Sequence, residues 1–211
     1  MEVIPALNCI DFHEVEERFR ILKSVRPEGG WVHLDVADGK FTYNVTWADP
    51  KKWAEVGYGL KLEVHLMVEE PEEAVPLWLE AGAKRIIVHL ETAANLEHIA
   101  ELCAAKNADF VISSSPETFT ERMRPLFGKF TKFQVLAVSP GLAGQKFLPM
   151  VLEKVRFIRK ELPNAWIELD GGVNMENARQ AKEAGVDAVV VASYIFGNEN
   201  PKLALSMLEH I

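Results

Sequence analysis

The sequence predicts an α/β protein folded as a single closed (β/α)8 barrel, the architecture called the TIM barrel. Three observations support this. Short β-branched runs alternate with longer, charged amphipathic stretches along all 211 residues. Runs such as Ile86–Val88 and Val189–Val191 are continuously apolar, as strands of a parallel sheet covered by helices must be. Eight strand–helix units fit this length at about 26 residues each, near the minimum for such a unit.

Eight short segments rich in Val, Ile and Leu are predicted as strands. In chain order they are Val3–Leu7, Trp31–Val36, Lys61–Val68, Arg85–His89, Asp109–Ser113, Lys132–Val138, Trp166–Asp170 and Ala188–Ala192. An open doubly wound sheet is the alternative arrangement of such strands. Its G-x-G-x-x-G phosphate loop does not follow the first strand, however, because Asn8 and Cys9 stand there instead. The closed barrel is therefore favoured.

The charged stretches between the strands predict the helices. Asp11 is placed to cap the first of them, and Pro71 and Gly82 mark the beginning and end of the third. In chain order the helices are Asp11–Leu22, Pro50–Val56, Pro71–Ala81, Asn95–Lys106, Pro116–Phe127, Pro149–Leu162, Asn177–Ala184 and Pro201–Ile211. No linker or shift of composition interrupts the series, so we expect one domain over residues 1–211.

Composition and charge exclude several classes of partner. The 23 lysines and arginines stand against 31 aspartates and glutamates, a net charge of −8, and no basic run suits a nucleic acid. Cys9 and Cys103 are too few for a disulfide framework or a zinc ribbon, and suit a reducing compartment. The N-terminus lacks a signal-peptide pattern, and no window approaches the roughly 18 apolar residues of a membrane span. We therefore expect a cytoplasmic protein with a small-molecule partner and no membrane contact.

Four side chains of metal-ligand type fall at the predicted strand ends. His33 and Asp35 alternate on the second strand and face the same way, His65 is near the end of the third, and Asp170 ends the seventh. Active sites of this fold lie at the carboxyl ends of the strands. A single strand histidine is more often a core residue, but two imidazoles and two carboxylates at one end predict a metal site. This donor set favours zinc, with manganese, iron and cobalt as alternatives.

His89 also ends a strand, but Leu90–Thr92 after it shows no recognisable partner, so it is the weaker candidate. His13, His98 and His210 fall in helical segments and are expected to be solvated.

Glycines concentrate in the loops after the sixth, seventh and eighth strands. Each loop alone can be an ordinary tight turn. Together they predict a site for a phosphorylated ligand held mainly by backbone amides, because glycine lets amides approach an anion closely. The residues concerned are Gly141, Gly144, Gly171, Gly172, Ala192 and Ser193.

The chain resembles the ribulose-phosphate 3-epimerase family in five blocks that occur in the same order and span nearly its whole length. These are W-V-H-L-D-V-A-D-G, V-H-L-M-V, S-P-G-L-A-G-Q-K-F, E-L-D-G-G-V-N and A-S-Y-I-F-G. The resemblance implies a barrel enzyme, expected to be a homo-oligomer, that interconverts D-ribulose 5-phosphate and D-xylulose 5-phosphate by inverting carbon 3. Its substrate is thus a small phosphorylated ketose.

The resemblance also implies roles for single residues. His33, Asp35, His65 and Asp170 would bind one divalent metal ion, and Asp35 and Asp170 would be the acid–base pair on opposite faces of the sugar. Inversion requires one group to take a proton and another to return one from the other side. The phosphate would lie against the glycine-rich loops named above, and further substrate contacts would come from Asn8, Cys9 and Met67.

Several positions near the substrate depart from the family. Cys9 replaces a serine, and Ala37 and Leu136 replace two of three methionines that cover the intermediate, so that only Met67 remains. L-N-C-I-D and G-L-A-G-Q are similar to the allulose-6-phosphate 3-epimerases, which makes a hexulose 6-phosphate the alternative substrate. G-G-V-N at Gly171 instead resembles the pentose enzyme. A non-catalytic phosphosugar-binding barrel is a third alternative.

Overall fold

Eight parallel strands form a closed barrel in the computed structural model, which describes residues 1–26, 28–56 and 59–211. Each strand follows its neighbour in chain order. The strands are β1 (Glu2–Leu7), β2 (Trp31–Ala37), β3 (Lys61–Met67), β4 (Arg85–His89), β5 (Asp109–Ser114), β6 (Lys132–Leu136), β7 (Trp166–Asp170) and β8 (Ala188–Val191). The predicted (β/α)8 fold is confirmed.

The described residues form eight α-helices, most of which begin at a side chain that caps them. The Asp11 carboxylate accepts a hydrogen bond from the Glu14 N–H, and the Asn95 side chain accepts one from the His98 N–H, as N-cap residues do. The helices are α1 (Phe12–Val25), α2 (Pro50–Val56), α3 (Pro71–Glu80), α4 (Leu96–Ala105), α5 (Val151–Glu161), α6 (Met175–Ala184), α7 (Ser193–Phe196) and α8 (Pro201–Glu209).

The helix predicted over Pro116–Phe127 is wrong. This stretch contains two short 3-10 turns, Thr120–Arg122 and Arg124–Leu126, in its place. Pro125 has no backbone N–H and its ring would clash with the preceding helical turn, while the threonines and Phe119 before it are poor helix formers. The segment therefore connects β5 to β6 without an α-helix.

The chain divides into two compact units, residues 5–111 and residues 1–4 with 112–211, called here the N-terminal and C-terminal units. The core of the N-terminal unit contains buried apolar residues from both its strands and its helices, among them Leu34, Val64, Ile86, Phe19, Val75 and Ile99. The core of the C-terminal unit is built in the same way, among others from Val135, Leu169, Val189, Ile158, Ala181 and Leu205. The expectation of a single domain stays a prediction.

Among the described residues, no helix has both the length and the apolar character needed to cross a membrane.

Candidate active site

The N-terminal unit brings three of the four predicted metal ligands together. In the register of β2 and β3, Asp35 lies directly opposite His65, and His33 lies two residues earlier on the same face. Oδ1 of Asp35 is 3.2 Å from Nε2 of His33 and 3.1 Å from Nδ1 of His65. All three side chains are buried. The two imidazoles thus converge on one carboxylate oxygen.

Asp35 is held as a charged carboxylate. Its second oxygen, Oδ2, accepts a hydrogen bond of 3.0 Å from the side-chain amide of Asn8. Burial raises the pKa of Asp35, but His33 and His65 outweigh that effect and lower this pKa well below its usual range. Asn8, predicted as a substrate contact, is therefore placed to orient Asp35.

His33 has a second carboxylate partner, which the sequence analysis did not single out. Its Nδ1 lies 2.7 Å from Oε1 of Glu63, whose Oε2 accepts a 2.5 Å hydrogen bond from Arg85. His33, Glu63 and Arg85 are direct neighbours in register across β2, β3 and β4. Burial lowers the pKa of His33, but Asp35 and Glu63 raise it well above the ordinary value. The signal in the sequence was that Glu63 alternates with His65 on one strand face.

His89 has a partner as well, contrary to the sequence expectation. Its Nδ1 lies 3.1 Å from Oε2 of Glu91, two residues further along the chain, and its Nε2 lies 2.9 Å from Nε2 of His65. Burial lowers the pKa of His89 to about 4; Glu91 raises it only partly, and His65 lowers it further. A neutral, fully buried imidazole therefore adjoins the predicted ligand His65.

The three side chains offer a donor set that fits a divalent metal. His33, Asp35 and His65 each present one ligand atom, and these atoms lie within 4.8 Å of one another. Two imidazole nitrogens and a carboxylate oxygen are the ligands that zinc commonly takes, and they also suit other first-row transition metals. The cluster can therefore bind a metal ion.

Asp170, the fourth predicted ligand, belongs to the C-terminal unit. It is the last residue of β7 and lies opposite Leu136 in the register of β6 and β7. Its side chain is buried, and its backbone carbonyl accepts a hydrogen bond of 2.6 Å from the Ala137 N–H. Glu168, two residues earlier, accepts a bond of 2.9 Å from the Gln134 amide. The end of β7 is thus fixed by its neighbour β6.

The glycines of the predicted phosphate loops adopt backbone conformations that other residues rarely take. The φ angles are +125° at Gly141, +80° at Gly144, +107° at Gly171 and +66° at Gly172. At Gly172 the absent side chain also matters, because a Cβ there would lie 2.6 Å from the backbone nitrogen of Phe147. The loop after β7 therefore packs directly on the loop after β6, with no room for a side chain between them.

Four further predicted site residues are placed by the strands and turns around them. Ala192 and Ser193 begin the short helix α7 directly after β8. Cys9 is buried after β1, and its carbonyl accepts a hydrogen bond of 2.8 Å from the Trp47 N–H. Met67 ends β3, where it is buried opposite Ala37 in register. His13, His98 and His210 are exposed, as expected.

Comparisons with known proteins identify the family. The model of the ribulose-phosphate 3 epimerase family matches residues 2–196. The ribulose-phosphate 3-epimerase of Chlamydia muridarum is 38% identical over 177 residues, covering 80% of this chain and 77% of that protein. That of Mycobacterium bovis is 32% identical over 211 residues, covering 98% and 90%.

The barrel also resembles that of the solved 3-hexulose-6-phosphate synthase from Salmonella typhimurium. The TM-score is 0.74 at 15% identity, covering 100% of this chain and 97% of that one. This likeness supports the fold alone. The family model and the two sequence relatives go further: the chain belongs to the ribulose-phosphate 3-epimerase family and is an isomerase of that type.

Proposed function

We propose that this chain interconverts D-ribulose 5-phosphate and D-xylulose 5-phosphate by inverting carbon 3. The observation that carries the proposal is the buried cluster in which His33 and His65 meet the charged carboxylate of Asp35. In a chain of this family, such a cluster supports proton transfer next to a ketone.

Asp35 is proposed as one half of the acid–base pair. A charged carboxylate can take the proton from carbon 3: the C–H bond breaks, the proton goes to a carboxylate oxygen, and the electron pair passes into an enediolate. The low pKa of Asp35 supports its starting in the charged form. The hydrogen bond from Asn8 to Oδ2 would keep the carboxylate in position.

Asp170 is proposed as the other half. Its carboxylic acid would give a proton to carbon 3 from the opposite face, forming the new C–H bond and restoring the ketone. Its position supports this role, because it ends β7 and catalytic residues of this fold come from the ends of several strands. The two aspartates would exchange their protonation states when the reaction runs in reverse.

A divalent metal would be held by His33, Asp35, His65 and Asp170, with zinc as the proposed ion and manganese, iron or cobalt as alternatives. When bound, the cation would offset the negative charge that the enediolate develops. His33 and His65 would bind through the nitrogens that face Asp35. Glu63 supports the position of the His33 ring by accepting from its Nδ1.

The phosphate is proposed to lie against the loops that follow β6, β7 and β8. Backbone N–H groups can approach an anion closely where no side chain intervenes. The positive φ angles of four glycines support this proposal, which also includes Ala192 and Ser193; the glycines are Gly141, Gly144, Gly171 and Gly172. Cys9 and Met67 are proposed to contact the sugar.

Exchange of the carbon-3 proton with deuterium from solvent tests the acid–base roles. We expect exchange and turnover in the metal-loaded wild type, and loss of turnover by about 10²-fold or more in Asp35→Asn and Asp170→Asn. Asp49→Asn is the matched control, because asparagine still caps the turn that Asp49 forms with the Lys52 N–H. Retained turnover in both active-site variants would remove the proposed roles.

The same assay separates the candidate substrates. Comparing kcat/KM for ribulose 5-phosphate and allulose 6-phosphate decides between pentose and hexulose. A preference for the hexulose would indicate that the small Ala37, buried opposite Met67, leaves room for a sixth carbon. Binding of either sugar phosphate without turnover would instead establish a non-catalytic binding protein.

A homo-oligomeric state and a cytoplasmic location complete the proposal. The family resemblance supports the first, and light scattering of the purified protein tests it. Two free, buried cysteines support the second, because a reducing compartment suits them. Fractionation of cells that produce the protein at its natural level tests the location.

A further inference from the structure

We propose that Gln145 is a positioning residue whose side-chain amide holds the loop after β6 in the shape that would receive the phosphate. Gln145 is not among the residues proposed to contact the substrate. The inference rests on the proposed function for the phosphate site itself, and adds a side chain that prepares that site from within the loop.

The loop leaves the barrel and returns to it at one place. The Leu148 N–H donates a hydrogen bond of 2.9 Å to the Ala137 carbonyl, and the Ala137 N–H donates one of 2.6 Å to the Asp170 carbonyl at the end of β7. Residues 138–147 therefore project between two fixed ends. Compact loops whose ends lie close together are packed by their own side chains, so the shape of this loop depends on what its side chains contact.

Gln145 makes two hydrogen bonds inside this loop, called here the Gln145 brace. Its Nε2 donates to the Ser139 carbonyl at 2.7 Å and to the Leu142 carbonyl at 2.9 Å. Both partners are carbonyl oxygens, which only accept hydrogen bonds. The group that faces them must therefore be the NH2 of the Gln145 amide and not its oxygen. Both hydrogens of this NH2 are directed at the backbone of the loop.

The Gln145 brace spans the part of the loop that contains its glycines. Ser139 and Leu142 lie six and three residues before Gln145. The two bonds therefore enclose Gly141 and Gly144, whose φ angles are +125° and +80°. Glycine loses more backbone freedom on ordering than any other residue, so an unbraced loop would have to be ordered by the phosphate itself. A loop that is already ordered binds more tightly, because less freedom is lost on binding.

The backbone of Gln145 also contacts the second glycine loop, after β7. A Cβ at Gly172 would lie 3.0 Å from the Gln145 carbonyl oxygen and 2.6 Å from the Phe147 nitrogen. The Gly172 carbonyl in turn accepts a hydrogen bond of 2.8 Å from the side-chain amide of Asn177, a buried residue of α6. Gln145 is thus supported by the loop after β7 while its side chain holds the loop after β6.

Loop order and phosphate affinity are the two quantities that test the proposal. Nitrogen-15 relaxation of the purified protein reports the order of the N–H groups of residues 141–146, and their chemical shifts report the dissociation constant of added inorganic phosphate. In the wild type we expect ordered N–H groups that shift with phosphate. Gln145→Met keeps the length of the side chain but donates no hydrogen bond. In this variant we expect mobile N–H groups and a dissociation constant about tenfold higher.

Turnover separates a positioning role from a general effect on packing. With ribulose 5-phosphate we expect the KM of Gln145→Met to rise about tenfold while kcat stays within about twofold, because the loop would bind a part of the substrate that does not react. Gln145→Glu has nearly the wild-type shape but its carboxylate only accepts hydrogen bonds, so the loop should become mobile in this variant too.

Gln180→Met is the matched control, because it makes the same substitution at an exposed position. Gln180 lies on α6, where its Nε2 donates to Oε1 of Glu176 at 3.4 Å. Loop order, phosphate affinity and KM should all stay at their wild-type values in this control. A loss equal to that of Gln145→Met would contradict a specific role for the Gln145 brace.

The remaining outcomes also decide the proposal. An ordered loop in either folded Gln145 variant overturns it, and so does a mobile loop that binds phosphate as tightly as the wild type. Failure of the proposed phosphate site would look different. Phosphate would then leave the N–H shifts of the wild type unchanged, while a loop that becomes mobile in Gln145→Met would still establish the Gln145 brace.

Discussion

Nδ1 of His33 and Oε1 of Glu63 are joined by a hydrogen bond of 2.7 Å, and both side chains are completely buried. The other oxygen of Glu63 accepts a hydrogen bond of 2.5 Å from Arg85. The Arg85 guanidinium also lies over the Trp31 ring, 4.0 Å from its centroid. Glu63 thus serves two buried partners at once. Glu63 therefore links His33, a candidate metal ligand, to the buried guanidinium of Arg85.

Removing Glu63 should cost far more stability than removing an exposed partner at the same distance. In Glu63→Ala we expect the free energy of unfolding to fall by about 3–5 kcal/mol, because the buried Arg85 would lose its nearest counter-charge and keep the more distant Asp109, whose Oδ2 lies 3.6 Å from its Nε. Glu153→Ala is the control: Glu153 also pairs with an arginine, Arg156, at 2.5 Å, but these side chains are 78% and 50% exposed. There we expect less than about 1 kcal/mol. Urea unfolding measures the stability of both variants. Equal losses would show that burial does not determine how much an ion pair contributes to stability.

How far the sequence predicts this site is shown by the same residues. Alternation along a strand put His33 and Asp35 on one face, and strand-end positions brought in His65. The partner of His33 was not predictable in that way, because it depends on the register between β2 and β3, which places Glu63 opposite. From the sequence His89 was only the weaker candidate for the site, because Glu91, two residues further along the chain, was not recognised as its partner.

The fold was predictable for a related reason. Parallel strands covered by helices are apolar runs, and caps such as Asp11 mark where helices begin, so both features are local in the sequence. The failure between β5 and β6 had the opposite cause. Charged and apolar residues alternate there in a helix-like way, but Pro125 interrupts the hydrogen bonding that a continuous helix would need.

Gly172 and Gly144 should respond differently to alanine, although both have positive φ angles of +66° and +80°. A Cβ at Gly144 would meet no atom within 4 Å. Gly144→Ala should therefore lower the free energy of unfolding by only about 1–2 kcal/mol, the cost of placing a side chain on a backbone with positive φ. At Gly172 a Cβ would also lie 2.6 Å from the Phe147 nitrogen, which adds about 1–3 kcal/mol of overpacking. Thermal and urea unfolding compare the two variants. If the losses match, the loops after β6 and β7 do not need this close approach.

Asp38 should make stability depend on pH. Its Oδ1 accepts from the backbone N–H groups of Lys40 and Phe41, and its Oδ2 accepts from that of Glu69 at 2.9 Å. Burial raises the pKa of Asp38, but these N–H groups outweigh it and lower the pKa below its usual value.

The sign follows from that direction. A folded-state pKa below the unfolded value means that the stabilisation is present above the unfolded value and is lost as pH falls through the folded one. In Asp38→Ala we therefore expect a loss of about 1–2 kcal/mol at pH 7, when hydrogen bonds to a charged, partly exposed group are removed. The difference in the free energy of unfolding between Asp38→Ala and wild type should shrink as the pH is lowered below about 3.8.

Glu69→Gln is the control. The Glu69 carboxylate is exposed and lies as far as 4.0 Å from the Lys40 ammonium, so the substitution should change stability little at every pH. A loss for Asp38→Ala that stays constant from pH 7 to pH 3 would contradict the role of the charge.

Both thiols should be inert in the folded protein. Burial raises the pKa of Cys9 to about 11 and that of Cys103 to about 12, and both are free and buried. Because the thiolate is the reactive form, a chromogenic disulfide reagent at pH 8 should react only as fast as the chain opens. The reaction rate of the thiols should rise with sub-denaturing urea, in proportion to the fraction of molecules in which the surrounding segment is open. In full denaturant both thiols should react immediately. Cys9→Ser and Cys103→Ala report each site separately. Rapid reaction of one thiol in native buffer would mean that its segment opens far more easily than the packing around it implies.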